Sequence, residues 1–332
     1  MNGLLFIDDE EGIRRSIVRA LGNEPYRVYT ADNGTAGMVV LKENLPYIDM
    51  VISDYMMPGR NGVETLADIG RLHPEITKII LTGYATMEAA IQAINNGVDG
   101  FLTKPFDNVE LRAKIHEISV RKLLRQFVPE QIYNEMDTHQ GALRNNYHQV
   151  SVLFSDIRGF TQMSRDIPPE ALADFLNYRY FTPMGEIAFQ HKGTTDKHIG
   201  DSMMVVYGSP VNHSDDALMA VRSALAMQQK AREIDSRLVL KNGLRLKIGI
   251  GISTGKVFSG VLGSIRKKEF TSIGLAVNIA ARLQSIARQE EILITRETLQ
   301  LTGDAILAES LHPVYVKGLD EPIEVYRVNG EA

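Results

Sequence analysis

The chain has 332 residues, of which 44% are hydrophobic and 23% charged, a composition typical of folded globular protein and not of a disordered or fibrous chain. At roughly 100–200 residues per domain, this length predicts two domains. The net charge of −5 and the lack of a long basic run argue against nucleic acid or an anionic membrane surface as partner. The absence of cysteine excludes disulfides, a thiol nucleophile and thiolate metal ligands.

Hydropathy sets expectations for the location of the protein. The sequence holds no run of about 18 apolar residues, so we expect no membrane span. The apolar stretch at residues 3–7 is short for a signal peptide, and four acidic residues follow it. We therefore expect a cytoplasmic protein.

In the first part of the chain, short apolar runs alternate with helical patterns. Strands are predicted at residues 4–7, 26–30, 49–53, 78–82 and 100–103, and helices at 13–21, 35–41, 64–72, 87–95 and from 108 onward. This strict alternation predicts an α/β fold with a doubly wound parallel sheet. Continuous apolar strands such as Ile79-Ile80-Leu81 fit a sheet that is covered on both faces.

The helix predicted from residue 108 keeps a spacing of three or four between apolar residues as far as Phe127. It is longer than the small sheet on which it would pack. Two interpretations remain open: a frayed last helix, or a dimerising helix that carries a signal into the next domain. Residues 137–149 are polar and are typical of a linker. We therefore expect domains at 1–122 and 148–330, joined by a helical linker at 123–147.

The second part of the chain has a different pattern. Strands are predicted at 150–154, 194–199, 203–207, 244–252, 257–262 and 269–273 and near Ile292, Tyr315 and Val325, and helices at 169–191, 215–234 and 276–287. Residues 194–207 read as a hairpin around the Gly200-Asp201 turn. Strands interrupted by helices in this way predict an α+β domain with a largely antiparallel sheet.

Four polar features follow strands of the first domain: Asp8-Asp9, Asp54, Thr82 and Lys104. In an open α/β sheet ligands bind outside the carboxyl ends of the strands, so we expect these side chains to converge. Neighbouring carboxylates repel one another and are stable together with a cation, and oxygen ligands suit Mg²⁺. The hydroxyl and the ammonium could hold the oxygens of a phosphoryl group.

These stretches resemble response-regulator receiver domains. The matching runs are Phe6-Ile7-Asp8-Asp9-Glu10, Ile52-Ser53-Asp54-Tyr55-Met56-Met57-Pro58-Gly59, Leu81-Thr82-Gly83 and Phe101-Leu102-Thr103-Lys104-Pro105-Phe106. The resemblance implies that Asp54 is the phosphoryl acceptor. It also implies one Mg²⁺ ion held by Asp9, Asp54 and the Met56 carbonyl, with Asp8 acting mostly through water.

The same resemblance implies how phosphorylation would be sensed. Thr82 and Lys104 would bind the phosphoryl oxygens. Phe101 stands at the family's aromatic switch position, and because it lacks a hydroxyl it would act by packing alone. The implied partner is a sensor histidine kinase or a small-molecule phosphodonor.

The second domain carries a candidate catalytic set. Asp156 ends a strand and Asp201 lies in the hairpin turn. Carboxylates on adjacent strands could share two Mg²⁺ ions that stabilise the attacking and leaving oxygens of a phosphoryl displacement. The Gly159-Phe160-Thr161 turn offers backbone N–H groups to a polyphosphate. Asn278 and Arg282 share one helix face, and arginine suits the charge that develops on phosphorus.

Together these features resemble a class III nucleotidyl cyclase catalytic domain, with a ferredoxin-like palm. The matching motifs are residues 154–161, 197–201, 249–257, 271–282 and 316–318. The resemblance implies that Asp156, Asp201 and the Ile157 carbonyl bind two Mg²⁺ or Mn²⁺ ions. The nucleotide 3′-hydroxyl would attack the α-phosphorus and expel pyrophosphate.

The resemblance also implies roles for residues that lie apart from the metal ligands. Asn278 would orient the ribose, Arg282 would stabilise the transition state, and Lys317 would bind phosphate. The sites of the family lie at a twofold interface, so the expected assembly is a homodimer.

Lys197 and Thr271 stand at the family's two base-reading positions. A lysine only donates hydrogen bonds, which suits the N1 acceptor of adenine, whereas a guanylyl enzyme would place Glu there. Thr271 can accept from the adenine amino group, but its hydroxyl can also donate. The Lys/Thr pairing resembles a subgroup with bicarbonate-responsive members, which implies bicarbonate as a further effector.

We therefore expect a phosphorylation-regulated adenylate cyclase that converts ATP to cyclic AMP and pyrophosphate. A guanylate cyclase is the first alternative. A diguanylate cyclase would need a Gly-Gly-Asp/Glu-Glu-Phe hairpin, which residues 199–203 do not supply. A non-catalytic dimerisation or nucleotide-binding module is the alternative from another class, and it would be expected to lack at least one of the four catalytic residues Asp156, Asp201, Asn278 and Arg282.

Overall fold

The computed structural model describes residues 2–22, 24, 26–83, 97–125, 128–129, 131–133, 135, 146–242, 245–316 and 321–332. The chain divides into two compact units, Met1–Phe127 and Val128–Ala332. The helix predicted at 87–95 and most of the predicted linker at 137–149 lie outside the described residues. Within the described ranges, no helix is both long enough and apolar enough to cross a membrane.

A parallel sheet forms the centre of the first unit. Its strands are β1 (Asn2–Ile7), β2 (Tyr26–Ala31), β3 (Ile48–Asp54), β4 (Thr77–Thr82) and β5 (Gly100–Thr103). They follow the order β2-β1-β3-β4-β5, and each neighbouring pair is parallel. Because every strand runs the same way, the carboxyl ends of β1, β3, β4 and β5 meet at one edge.

Helices cover this sheet. Those that the structure describes are α1 (Glu11–Leu21), α2 (Gly34–Asn44), α3 (Gly62–Leu72) and α4 (Asn108–Arg125). The side chains of Asn33 and Asn61 cap α2 and α3, accepting hydrogen bonds at 2.9 and 2.8 Å from backbone N–H groups of the first turns. Such caps satisfy N–H groups that have no partner inside the helix.

Alternate residues of β1 enter two different cores. Leu5 and Ile7 pack with residues of α2 and α3, including Leu41 and Leu66. Leu4 and Phe6 of β1 pack on the opposite side of the sheet with α1 and α4. This second core includes Leu4, Phe6, Ile17, Leu21, Leu111 and Ile115. The sheet is therefore covered on both faces, which confirms the doubly wound arrangement.

An eight-stranded mixed sheet forms the second unit. Its strands are β6 (Asn146–Ile157), β7 (Thr194–Ile199), β8 (Ser202–Tyr207), β9 (Ile248–Gly263), β10 (Lys268–Ile273), β11 (Ile292–Thr295), β12 (Ile306–Ser310) and β13 (Val325–Glu331). The order is β12-β13-β11-β9-β6-β8-β7, and β10 pairs with β9. The β9–β11 pair is parallel and the other pairs are antiparallel, which confirms the predicted α+β class.

The helices of the second unit are α5 (Phe160–Asp166), α6 (Pro169–Phe175), α7 (Thr182–Gln190), α8 (Asp216–Asn242), α9 (Leu275–Ile286) and α10 (Arg296–Thr302). A π-helical segment, Leu176–Phe181, joins α6 to α7, so the single helix predicted at 169–191 is one helical run of mixed type. The predicted helix at 215–234 continues to Asn242.

Two predicted strands are one strand in the structure. β9 runs without a break from Ile248 to Gly263, through residues that we had expected to separate strands at 244–252 and 257–262. Ser253 and Thr254 are buried, and the Thr254 hydroxyl lies 2.7 Å from that of Ser151 and 2.9 Å from that of Thr298. These partners come from distant parts of the chain, so a local pattern of small polar residues does not reveal the strand.

Two further boundaries differ from the predictions. β6 begins at Asn146 because it pairs with β9 from that residue onward, so residues 146–149 belong to a strand and not to the linker. Near Tyr315 the structure has an isolated bridge between Val314 and Ile323, and the prediction of a strand there is wrong.

Candidate functional site

The predicted acidic site lies at the carboxyl edge of the parallel sheet. Asp8 follows β1, Asp54 ends β3, and both are buried. Lys104, which follows β5, places its Nζ 2.9 Å from Asp8 Oδ2 and 2.9 Å from Asp54 Oδ1. Three residues that are distant in sequence thus meet, as the strand order requires.

Charge and burial act against each other in this cluster. Burial raises the pKa of Asp54, as do the charges of Asp8 and Asp9, while Lys104 lowers it. Burial lowers the pKa of Lys104, but its hydrogen bonds and ion pairs with the two carboxylates outweigh burial and raise it. The ammonium therefore compensates for a carboxylate pair that is otherwise too close to be stable in a buried position.

The remaining predicted residues of this site differ in burial. Thr82 ends β4 and is buried, whereas Asp9 is exposed. The side chain of Met56 is 71% exposed and that of Phe101 40% exposed. Among the described residues, no three Asp, Glu or His side chains are arranged to hold a metal ion. A cation here would therefore depend on backbone and water oxygens beside two carboxylates, a donor set that suits Mg²⁺.

Gly62 is a residue of this site that the sequence analysis missed. It begins α3, and a Cβ atom at this position would lie 2.0 Å from the backbone oxygen of Asp54. Its N–H donates to the Tyr55 carbonyl at 3.1 Å. The glycine lets α3 approach the chain at Asp54, and no motif marks it because the close approach exists only in the folded unit.

The predicted catalytic carboxylates meet in the second unit. Asp156 lies near the end of β6 and Asp201 lies in the turn between β7 and β8. Asp201 Oδ2 accepts a hydrogen bond from the Ile157 N–H at 3.3 Å. Asp156 Oδ1 accepts from the Ser202 hydroxyl at 2.9 Å, so each carboxylate is oriented by the strand that carries the other.

Burial and Asp156 together perturb the ionisation of Asp201. Burial, a hydrogen bond between the two side chains and the charge of Asp156 raise the pKa of Asp201 to about 7. Two carboxylates in contact are stable only when a proton or a cation lies between them. Hard oxygen donors in this arrangement fit divalent ions such as Mg²⁺ or Mn²⁺.

Arg158 completes this arrangement, and the sequence analysis gave it no role. Its guanidinium lies 3.0 Å from Asp156 Oδ2, while its Nε is buried without a hydrogen-bond partner. A Cβ atom at Gly249 of β9 would lie 2.8 Å from that Nε. The glycine therefore leaves the space that the arginine fills beside the carboxylates.

The predicted phosphate-binding turn follows directly. Gly159 has φ 79°, a left-handed conformation that favours glycine, and α5 begins at Phe160. The Gly159 carbonyl accepts from the N–H groups of Gln162 and Met163, both at 3.1 Å. Thr161 lies in the first turn of this helix.

Below the carboxylates, a buried hydroxyl pair supports β6. The Tyr180 hydroxyl donates to Ser155 Oγ at 2.9 Å, and both residues are fully buried. Ser155 immediately precedes Asp156 in the strand. The π-helical segment that carries Tyr180 therefore packs against the strand that presents the metal-ligand candidate.

The two base-reading candidates lie in one polar cluster. Lys197 of β7 places its Nζ 2.9 Å from Glu269 and 3.4 Å from Asp196. The Thr271 hydroxyl of β10 donates to the same Asp196 carboxylate. Lys197 and Thr271 were predicted from the sequence, but the two carboxylates that contact them were not.

Asn278 and Arg282 are placed differently. Both are exposed on α9, whose opposite face buries Ala276, Ile279 and Leu283. In the described part of the chain, no hydrogen bond or ion pair joins either side chain to Asp156 or Asp201. Lys317 lies outside the described residues.

Comparison with known families agrees with this geometry. Residues 143–330 match the family described as "Adenylate and Guanylate cyclase catalytic domain", and residues 4–116 match "Response regulator receiver domain". The chain belongs to the adenylate and guanylate cyclase family and carries a receiver domain fused to its class III catalytic domain.

Individual relatives match the second unit. An adenylate cyclase of Anabaena cylindrica is 36% identical over 189 residues, 54% of this chain and 36% of that protein. The terminal-differentiation specific adenylate cyclase of Dictyostelium discoideum is 32% identical over 187 residues, 54% of this chain and 8% of that protein. The chain thus aligns with only a minor part of either relative.

Solved structures give the same fold. The adenylyl cyclase CyaB from P. aeruginosa has a TM-score of 0.54 and 36% identity, covering 56% of this chain and 96% of that one. The guanylyl cyclase Cya2 has a TM-score of 0.54 and 33% identity, and the match covers 57% of this chain and 95% of that one. Overall likeness therefore does not separate the two nucleotide specificities.

Proposed function

We propose that this protein is an adenylate cyclase controlled by phosphorylation of its receiver domain. It would convert ATP to cyclic AMP and pyrophosphate. The observation that carries the proposal is the contact between Asp156 and Asp201, two carboxyl groups held together at the ends of adjacent strands, where burial and Asp156 raise the pKa of Asp201 to about 7. Such a pair has the charge and the oxygen donors that a divalent-metal site requires.

Asp156, Asp201 and the Ile157 carbonyl would hold two Mg²⁺ or Mn²⁺ ions, which supply Lewis-acid stabilisation of the attacking and leaving oxygens. The chain's own residues would do the positioning. Backbone N–H groups at Gly159, Phe160 and Thr161 would bind the triphosphate, with Lys317 as a further phosphate ligand.

The exposed face of α9 supports a site shared between two copies of the chain. Asn278 would orient the ribose and Arg282 would stabilise charge on the phosphorus. Neither contacts the carboxylates of its own chain, and a homodimer with twofold symmetry would bring each to the partner's carboxylates. Each dimer would then contain two complete sites.

The ion pairs of Lys104 support a regulatory role for the first unit. Phosphorylation of Asp54 by a sensor histidine kinase or a small phosphodonor would add about −1.5 to −2 of charge and new acceptor oxygens. Lys104 and Thr82 would bind those oxygens, which would change the contacts that now hold Asp8 and Asp54. Phe101, which is 40% exposed on β5, would respond by packing.

Guanylate cyclase activity is the second candidate, because the solved guanylyl cyclase Cya2 has the same TM-score as the adenylyl cyclase CyaB. Lys197 favours adenine, since an ammonium donates to N1 of adenine and faces an N–H in guanine. Bicarbonate as an effector stays a prediction from the sequence resemblance, as does a cytoplasmic location.

Turnover of both nucleotides tests the proposal. The full-length protein would be assayed with ATP and with GTP, in Mg²⁺ and in Mn²⁺, and cyclic nucleotide and pyrophosphate would be measured together. We expect cyclic AMP to dominate and pyrophosphate to form in equal amount. Dominant cyclic GMP would establish the second candidate, and no turnover of either nucleotide would contradict both.

A further inference from the structure

Asp196 connects the two residues proposed to read the base. Its side chain is 5% exposed, and its two oxygens accept from the Thr271 hydroxyl at 2.9 and 2.8 Å. The Ser272 N–H donates to the same carboxylate at 3.3 Å, and Lys197 Nζ lies 3.4 Å away. One buried carboxylate thus contacts both Lys197 and Thr271.

A β-bulge places Asp196 in this position. Thr195 pairs with Val205 and Lys197 pairs with the neighbouring Met204, so Asp196 has no pairing partner on β8. Bulges of this kind redirect side chains and are common beside functional sites. β7 is an edge strand of the sheet. The redirected carboxylate is therefore free to reach β10, where it accepts hydrogen bonds from Thr271 and Ser272.

The hydrogen bond determines where the Thr271 proton points. A hydroxyl group has one proton and two acceptor lone pairs, whereas an ionised carboxylate only accepts. Each described contact of Asp196 comes from a donor: the Thr271 hydroxyl, the Ser272 N–H and the Lys197 ammonium. Thr271 therefore directs its proton to Asp196 and presents only lone pairs in other directions.

The surroundings of Asp196 bear on its ionisation. Burial raises the pKa of Asp196 overall, and the hydrogen bond from Thr271 and the charge of Lys197 only partly offset this rise. The three donors each favour the charged form of Asp196 and so oppose the effect of burial.

We propose that Asp196 is a positioning residue that determines nucleotide specificity by making Thr271 a pure hydrogen-bond acceptor. An acceptor there matches the 6-amino group of adenine and opposes the 6-oxo group of guanine. This inference rests on the proposed adenylate cyclase function. It resolves the ambiguity of the Thr271 hydroxyl, which on its own could bind either group.

Purine riboside triphosphate tests the contact between Thr271 and the 6-amino group of adenine. It keeps the N1 acceptor that Lys197 would bind but lacks the 6-amino group. The ratio of kcat/KM for ATP to that for the analogue therefore reports on Thr271 alone. For the native protein we expect a preference for ATP of roughly three- to tenfold, the range for one hydrogen bond.

Asp196→Ala removes both acceptor oxygens and releases the Thr271 proton, whereas Asp196→Asn keeps one amide oxygen that can still accept it. In Asp196→Ala the ATP-to-analogue ratio should fall towards one and the GTP-to-ATP ratio should rise, while in Asp196→Asn the ATP-to-analogue ratio should stay closer to the native value. Thr271→Val should lower the ATP-to-analogue ratio to the same value as Asp196→Ala. Adding Asp196→Ala to Thr271→Val should cause no further change in that ratio, because the two residues act through one contact.

Glu269→Gln is the matched control. Glu269 pairs with Lys197 at 2.9 Å, as Asp196 does at 3.4 Å, but none of the described hydrogen bonds joins Glu269 to Thr271. The variant removes a carboxylate from Lys197 and should leave the ATP-to-analogue ratio at the native value. A fall in this ratio equal to that of Asp196→Ala would show that the effect passes through Lys197, and would overturn the proposal.

A purely structural role for Asp196 would lower kcat/KM for ATP and for the analogue equally, and this result would also overturn the proposal. If the Asp196 variants do not fold, Thr271→Val decides: an unchanged ATP-to-analogue ratio refutes the proposal and a lowered one supports it. Failure of the native protein to turn over either ATP or GTP would instead contradict the proposed function itself. The two failures are therefore distinguishable.

Discussion

Complementation between two inactive variants tests whether the active site is shared between subunits. Asp156 contacts Ser202 and perturbs Asp201 within one chain, whereas Arg282 lies exposed on α9. Asp156→Ala removes a ligand shared by both metal ions and should abolish turnover. Arg282→Ala removes the donor to the developing charge and should lower kcat by roughly 10²- to 10³-fold.

The expected recovery follows from the geometry of a twofold dimer. If each site takes its carboxylates from one subunit and Arg282 from the other, a mixed dimer has one site with both lesions and one intact site. Equal mixing makes about half of the dimers mixed, so about a quarter of native activity should return.

The assay measures cyclic AMP after the two variants have been mixed and allowed to exchange subunits, with a tagged pull-down to show that mixed dimers form. The matched control mixes Asp156→Ala with Asp201→Ala. Both substitutions affect carboxylates that the same subunit supplies to a site. Every site in the mixed dimer then lacks one carboxylate, and no activity should return. A mixture of Asp156→Ala and Arg282→Ala that stays inactive although mixed dimers form would refute the shared site.

Three other predictions concern regulation, specificity and stability. Asp54→Asn should abolish the response of turnover to a phosphodonor while basal turnover persists; unchanged activation in this variant would show that Asp54 is not the acceptor. Lys197→Glu combined with Thr271→Cys should lower ATP turnover far more than GTP turnover, and an unchanged preference for ATP would contradict the role of Lys197. Tyr180→Phe, which removes the hydrogen bond to a buried serine, should lower the free energy of unfolding in urea by about 1 kcal/mol. The exposed Tyr178→Phe should change it by less than about 0.5 kcal/mol, and equal effects of the two variants would contradict the argument.

Much of the first unit could be predicted from local pattern. β1, β3, β4 and β5 are short, mostly apolar runs, and a candidate residue lies at or just after the end of each. Asp8, Asp54 and Lys104 could be assigned to one edge because carboxyl ends of parallel strands meet there. The sequence could not show that Lys104 contacts both carboxylates, since this depends on side chains that reach across the sheet from β5.

The sequence also identified Asp156 and Asp201, because each stands at a strand end or turn within a recognisable motif. It did not identify Arg158 as their neighbour. The space that Arg158 fills exists because Gly249 of β9 lacks a side chain, and that relation joins residues far apart in the chain.

The boundaries of β9 also depend on long-range contacts that the local sequence does not reveal. Residues Ser253 to Gly255 are small and polar, which by itself indicates a break between strands. In the folded unit the Thr254 hydroxyl bonds across to Ser151 and Thr298, so the polar residues are satisfied inside the sheet. Only pairing with β6 decides that the strand continues.

The sequence by itself therefore determined the two domain types and the order of most elements, and it supplied the candidate acidic and base-reading residues, because these depend on local periodicity and on motifs. The tertiary structure alone decided which groups touch. The bulge at Asp196 is the clearest case: an extra residue on β7 sends a carboxylate to Thr271, 75 positions along the chain. Strand register and long-range hydrogen bonds set that contact, and no local pattern of residues encodes them.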